Sequence, residues 1–165
     1  MNTARSVIAI DPGYDRVGIA VFDEKKALAH SECFSPETKE FAERIVAIRK
    51  RVQELIREFE PTSCALETLF FSKNQKTAIK VAEARGAIIL AVAELGIPVY
   101  EYSPQDVKIA VTGSGNADKA GVTKMVTRLV PLGGTKRLDD ELDAIALGMA
   151  HQAAFLLSTD ISTQR

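Results

Sequence analysis

The sequence has few of the residues that cross-link small secreted proteins or anchor proteins in membranes. Its 165 residues include 2 cysteines, too few for a disulfide framework, and 2 histidines, so no Cys/His cluster is available for zinc. The longest apolar stretch, residues 86–93, is interrupted by Glu94 and is too short to cross a bilayer. The first residues run into an apolar segment without a secretory leader, so we expect a cytoplasmic protein.

An excess of charge of one sign is also lacking. The formal net charge of −1 excludes a chain that is basic overall. Residues 73–128 carry 8 Lys/Arg against 5 Asp/Glu, a net of +3, whereas residues 1–72 and 129–165 are each at −2. A surface that binds a polyanion is therefore expected in the middle of the chain.

The pattern of apolar and turn residues predicts one α/β domain over residues 1–157, followed by a polar tail at 158–165. Strands are predicted at 7–11, 17–22, 27–34, 63–69 and 99–102. Helices are predicted at 74–95, 104–111, 118–129 and 139–157, and another opens at Ser35-Pro36 and reaches Phe59. Tight turns between the first three strands predict an antiparallel meander. The order of elements predicts a five-stranded mixed sheet flanked by helices.

Four acidic residues stand in apolar surroundings, where a carboxylate is costly: Asp11, Glu67, Asp140 and Asp143. Asp11 and Glu67 each end an apolar strand, and the other two share one face at the start of the last helix. Alone, Asp11 fits an ordinary turn residue, and the helical pair fits an ordinary acidic N-terminus. Together they predict a site for two Mg²⁺ ions about 3.5–4 Å apart, with Mn²⁺ as a substitute, that hydrolyses phosphodiesters.

Basic and aromatic residues follow the second acid. Lys73, Lys76 and Lys80 lie on one helical stripe, and Phe70 and Phe71 precede them on a loop. Further basic residues are Lys108, Lys119, Lys124 and Arg128. Each lysine alone fits a solvated surface, but their position beside the acids favours phosphate contacts. An exposed Phe here would stack on an unpaired base for ~1–3 kcal/mol, or both rings cap the core.

Several motifs occur in one order along the chain. They are Ile10-Asp11-Pro12-Gly13, Ala65–Phe71, Lys73-Asn74, Lys80–Ala87, Pro98–Tyr102, Val107-Lys108, Gly113–Lys119 and Asp140–Ala146. In this order they resemble the RuvC family of bacterial Holliday junction resolvases. The resemblance implies an RNase H-like fold, a homodimer, and Mg²⁺-dependent paired incision of four-way DNA junctions in recombination and repair. It also implies that a branch-migration motor is a possible partner.

The resemblance also assigns roles to residues. It implies that the four acids are catalytic, that Phe70 contacts bases near the crossover, and that Lys108 and Lys119 lie near the scissile phosphate and junction backbone. Ala82, Gly86 and Ala87 resemble the family's dimer-forming helix, although small residues that pack on their own sheet fit equally well. Gly121 departs from the family, which often has Gln in this segment, and glycine within a helix is unfavourable by ~1 kcal/mol.

Two other functions stay open at this point. A non-catalytic nucleic-acid-binding relative would have the same fold, but the presence of all four acids argues against it. A phosphotransfer protein of the actin or sugar-kinase type also opens with strand-Asp-x-Gly. That architecture needs two such domains, and 165 residues are too few for both.

Overall fold

A computed structural model describes residues 6–69 and 75–162, with side chains described at 6–69 and 77–155. In that part of the chain the strands are β1 (Val7–Asp11), β2 (Val17–Phe22), β3 (Leu28–Phe34), β4 (Ser63–Glu67) and β5 (Val99–Tyr102). The helices are α1 (Phe41–Phe59), α2 (Gln75–Ala93), α3 (Pro104–Thr112), α4 (Lys119–Leu129) and α5 (Asp139–Ser162).

The strands form one mixed sheet in the order β3-β2-β1-β4-β5. β1, β2 and β3 make the predicted antiparallel meander. β4, which follows α1, lies parallel to β1, and β5 lies parallel to β4, to which it is connected by α2. The five-stranded mixed sheet with flanking helices is thus confirmed, and the carboxyl ends of β1 and β4 lie side by side.

Helices cover both faces of the sheet. On β1, Ile10 packs in the cluster formed with α1 and α2, whereas Ala9 packs in the cluster formed with α3, α4 and α5. Both residues are fully buried, as expected for a strand with helices on each side. Burial becomes partial at Asp11 and at Glu67, the last residues of their strands. The sheet therefore places Asp11 and Glu67 at the carboxyl ends of two neighbouring strands.

Helix α5 packs on β2 in backbone contact. A Cβ atom added at Gly18 would lie 1.8 Å from the backbone oxygen of Asp140, so only glycine permits this approach. Gly18 is also the partner of Asp11 in the β1–β2 ladder. The close approach consequently brings the start of α5 to the end of β1.

Helix α1 begins later than predicted. The hydroxyl of Ser35 donates to the carbonyl of Asp15, 3.1 Å away, and does not cap a helix. The carbonyls of Pro36 and Thr38 accept hydrogen bonds from Arg44, so the segment is a loop held by a tertiary contact. The prediction of a helix opening at Ser35 was wrong because local capping preference lost to this contact. At the other end of the chain, α5 continues to Ser162, into the segment predicted as a tail.

Candidate active site

The two strand-end acids form a coupled pair. Ile10 and Leu66 are partners in the parallel β1–β4 ladder, so Asp11 and Glu67 follow side by side. Burial, a hydrogen bond to Glu67 and the charges of Glu67, Asp143 and Asp140 together raise the pKa of Asp11 to about 8. Burial also raises the pKa of Glu67, against the effect of its hydrogen bond to Asp11. Near neutral pH the pair therefore shares a proton.

The two helix acids are each held by a base. Asp143 accepts a hydrogen bond from the Lys119 ammonium of α4, with 3.1 Å between Nζ and Oδ2. Lys119 also lies 3.3 Å from Asp139. Burial raises the pKa of Asp143, although Lys119 opposes the rise, and burial lowers the pKa of Lys119 less than these carboxylates raise it. The predicted pair of helical acids thus carries a counter-cation from a neighbouring helix.

Asp140 has partners on two other elements. The Arg16 guanidinium lies 3.0 Å from its Oδ2, and the Cys33 thiol donates to the same oxygen at 3.7 Å. Burial and the charge of Asp140 together raise the pKa of the Cys33 thiol to about 11, although Arg16 opposes the rise. The thiol is therefore protonated near neutral pH and acts as a hydrogen-bond donor to Asp140.

All four acids thus reach one end of the sheet, where the charges of the other three act on Asp11. Their donor set consists of carboxylate oxygens, which fits a hard divalent cation such as Mg²⁺ and does not fit zinc. As the side chains stand, no three Asp, Glu, His or Cys residues within the described ranges are grouped to hold one ion. Two of the acids point to bases instead, so a cation would compete with Arg16 and Lys119.

The predicted DNA-binding lysines have different surroundings. Lys80 of α2 places its ammonium 5.2 Å from the centre of the Tyr14 ring and 5.7 Å from that of Phe41. Lys108 is half-buried on α3, and Lys124 is exposed on α4. Phe70, Phe71 and Lys73 lie outside the described residues, as does the Lys76 side chain. Their predicted DNA contacts stay predictions.

The predicted dimer helix carries an exposed apolar face. Ala82 and Gly86 are exposed and Ala87 is half-buried, while Ile79 is 60% and Leu90 is 53% exposed. A Cβ atom added at Gly86 would meet nothing within 4 Å. Packing on the chain's own sheet therefore does not require glycine here, although the neighbouring Ala84 is fully buried.

Gly121 lies in the first turn of α4, not in its interior. Its N–H donates to the side chain of Asp118, the N-cap residue, at 2.7 Å. A Cβ atom added here would lie 3.1 Å from Asp118 Oδ1. Glycine thus lets the cap close tightly, and the cap fixes the start of the helix that carries Lys119.

Two residues that matter to the site were not predicted from the sequence. Arg16 pairs with Asp140, and Arg44 donates to the backbone of Tyr14 and Asp15 in the turn that follows Asp11. Nothing in the sequence distinguishes Arg16 from a solvated arginine. Arg44 is marked only by its position between the apolar residues Phe41 and Ile45 of an amphipathic helix.

Comparisons with known proteins agree on one family. Residues 7–151 match the family model described as crossover junction endodeoxyribonuclease RuvC. The chain is 40% identical over 158 residues to the crossover junction endodeoxyribonuclease RuvC of Brachyspira hyodysenteriae, which covers 93% of this chain and 98% of that protein.

Solved structures are similar in the same way. The structure of T. thermophilus RuvC in complex with a Holliday junction substrate superposes with a TM-score of 0.85 at 35% identity. The match covers 94% of this chain and 97% of that one. A yeast mitochondrial Holliday junction resolvase matches with a TM-score of 0.62 at 14% identity and so shares the fold. These likenesses confirm the predicted RNase H-like fold. In the described part of the chain, no helix has the length and apolar character needed to span a membrane.

Proposed function

The chain belongs to the RuvC family of crossover junction endodeoxyribonucleases, and from this membership we propose that it resolves four-way DNA junctions by paired, metal-dependent incision. The observation that carries the proposal is the coupled pair of Asp11 and Glu67 at adjacent strand ends, with Asp140 and Asp143 beside them. Two buried carboxylates that share a proton form a site with more acidic groups than the protein can keep ionised without a cation. Such a place suits a cation and a reaction at phosphate.

Mg²⁺ is the proposed cofactor, with two ions per site and Mn²⁺ as a substitute, held by Asp11, Glu67, Asp140 and Asp143. When bound, it supplies an activated water and stabilises the charge that develops on the leaving 3′-oxygen. The chain's own contribution is to position carboxylates from two strands and one helix. Asp11 and Glu67 must first lose the proton they share, so coordination and deprotonation are linked.

Basic residues at the site are proposed to hold the DNA backbone. Lys119 lies within 3.1 Å of Asp143, so its ammonium is at the reaction centre and can neutralise a phosphate oxygen. Lys108 and Lys124 extend the positive surface along α3 and α4, and Lys80 adds a basic side chain on α2. Lys73 and Lys76 are proposed DNA contacts from their positions in the sequence alone. The Tyr14 ring lies beside the Lys80 ammonium, and Phe70 is the proposed contact to bases at the crossover.

The mechanism requires two sites, and we propose that α2 forms a homodimer interface through Ala82, Gly86 and Ala87. Ile79 and Leu90 expose large apolar side chains on this helix, and such a stripe is typical of a buried contact. Leu90→Glu is expected to yield monomers by light scattering at micromolar concentration, with Leu129→Glu, an exposed leucine on α4, as the control. A wild-type monomer that still incises both strands together would contradict the dimer.

Cleavage of a synthetic four-way junction, with and without Mg²⁺, tests the activity. Asp11→Asn and Glu67→Gln are expected to abolish incision and to leave junction binding intact, because each removes a carboxylate that would hold the metal and keeps the shape of the side chain. Loss of cutting with binding retained also separates the proposal from a non-catalytic junction-binding relative, in which wild type would not cut. If Asp11→Asn cuts at the wild-type rate, the carboxylate assignment is wrong. A branch-migration motor is a proposed partner by family resemblance alone.

A further inference from the structure

The ion pair between Arg16 and Asp140 has no role in the chemistry described so far. Arg16 belongs to the turn between β1 and β2, and Asp140 is one of the proposed metal ligands. The guanidinium approaches Asp140 Oδ2 to 3.0 Å, with the Arg16 side chain 49% exposed and that of Asp140 26% exposed. One end of the pair is thus fixed in the site, and the other end is free to turn towards solvent.

The backbone that carries Arg16 is held firmly although its side chain is not. Arg44 donates to the carbonyls of Tyr14 at 3.1 Å and Asp15 at 2.6 Å, the two residues before Arg16. On its other side, Gly18 contacts the backbone of Asp140. The turn therefore holds the start of the Arg16 side chain beside the acid, while four rotatable bonds allow the guanidinium to move.

The charges at the site indicate that Arg16 competes with a divalent cation for Asp140. Asp11, Glu67, Asp140 and Asp143 supply up to four negative charges, and two divalent ions would neutralise them all. Arg16 on Asp140 and Lys119 on Asp143 already neutralise two. Even with the charge of Asp139 beside Lys119 counted, full metal occupancy with both bases in place would leave the site with a net positive charge. A base that leaves its carboxylate, or that takes an anion as its new partner, removes this excess when the second ion binds.

We propose that Arg16 is a counter-ion that moves from Asp140 to a DNA phosphate when a divalent cation binds at Asp140. The exchange makes Arg16 a positioning residue that weakens metal binding without DNA and strengthens junction binding once metal is present. Only the part of this inference that concerns DNA rests on the proposed function. Competition between Arg16 and a cation for Asp140 stands on the geometry of the pair.

Metal binding without DNA tests the competition between Arg16 and a cation for Asp140. Mn²⁺ is titrated into the protein and followed by calorimetry and by the paramagnetic resonance signal of free Mn²⁺, with Arg16→Gln, Arg16→Lys and wild type compared. Removing a positive charge a few ångströms from a divalent ion in a solvated, salt-screened site is expected to tighten binding by about threefold to tenfold. Arg16→Lys keeps the charge and is expected to stay within about twofold of wild type.

Two controls make the sign of this result decisive. Arg57→Gln removes the same charge from an exposed position in the last turn of α1 and is expected to leave Mn²⁺ affinity unchanged. In an Asp140→Asn background the effect of Arg16→Gln is expected to disappear, because the competition needs the carboxylate. Equal or weaker Mn²⁺ binding by Arg16→Gln overturns the proposal and makes Arg16 an orienting partner of Asp140 instead.

Junction binding tests the second half, with Ca²⁺ as the cation and a salt series. In Ca²⁺, Arg16→Gln is expected to lower junction affinity and to reduce the salt slope by about 0.9, the value for one lost phosphate contact. In EDTA the variant is expected to match wild type, because the guanidinium stays on Asp140. An unchanged slope in Ca²⁺ overturns the transfer to phosphate. Failure of wild type to bind junctions instead overturns the proposed function and leaves the Mn²⁺ result standing.

Discussion

Replacing Arg44 is the most direct test of how the fold holds the active-site turn. This side chain of α1 is only 11% exposed, and its guanidinium donates five hydrogen bonds, to the β1–β2 turn and to the loop that follows β3. Three of them reach partly buried carbonyls, those of Tyr14, Pro36 and Thr38. The other two reach Asp15, which is exposed.

The expected loss in the free energy of unfolding follows from this division into partly buried and exposed hydrogen bonds. A hydrogen bond contributes a net ~0.5–1.5 kcal/mol, and bonds to exposed partners contribute least. The three partly buried bonds give about 3 kcal/mol for Arg44→Ala. Arg44→Lys keeps the charge, but a single ammonium cannot follow the same fork, so about half of that loss is expected.

The assay is urea unfolding followed by circular dichroism at one protein concentration, because dimerisation would make stability depend on concentration. Arg57→Ala, at an exposed position on the same helix, is the control and is expected to change the free energy of unfolding by less than about 0.5 kcal/mol. Junction cleavage by Arg44→Ala is also expected to slow, since the released turn follows Asp11 and carries Arg16. A loss of less than about 1 kcal/mol for Arg44→Ala would refute this account of the turn.

Two further predictions concern the acids and their support. Burial, together with the hydrogen bond to Glu67 and the neighbouring carboxylate charges, raises the pKa of Asp11 from 3.8 to about 8, so the folded protein keeps a proton that the unfolded chain releases. In EDTA, stability is therefore expected to fall as pH rises between these values, with a smaller slope in Asp11→Asn, and urea midpoints from pH 5 to 8 measure this. Gly18→Ala would place its Cβ atom 1.8 Å from the Asp140 carbonyl oxygen and is expected to destabilise the fold by more than about 3 kcal/mol. Arg57→Ala, at an exposed position on α1, is again the control, and equal thermal shifts in the two variants would argue against close packing of α5 on β2.

Local sequence patterns were sufficient to predict most of the strands and helices. Apolar runs marked β1, β2 and β4, and the short turns between β1, β2 and β3 are what an antiparallel meander requires. The start of α1 could not be predicted in this way. Ser35 and Pro36 have the composition of a helix start, but Ser35 binds the carbonyl of Asp15 instead of a helix N-terminus. Arg44 of α1 binds the carbonyls of Pro36, Thr38 and Asp15 and so holds the segment as a loop. Capping preferences amount to about 1 kcal/mol, so a cluster of tertiary hydrogen bonds overrides them.

The sequence by itself determined the type of chemistry, because carboxylates at the ends of apolar strands are costly wherever those strands lie. Asp11, Glu67, Asp140 and Asp143 were identifiable from that cost and from their order along the chain. Only the tertiary structure decided the state of each acid. The parallel pairing of β1 with β4 couples Asp11 to Glu67, and contact between Gly18 and α5 brings Asp140 to Arg16. Charges interact through space over a few ångströms, and that distance depends on how the elements pack.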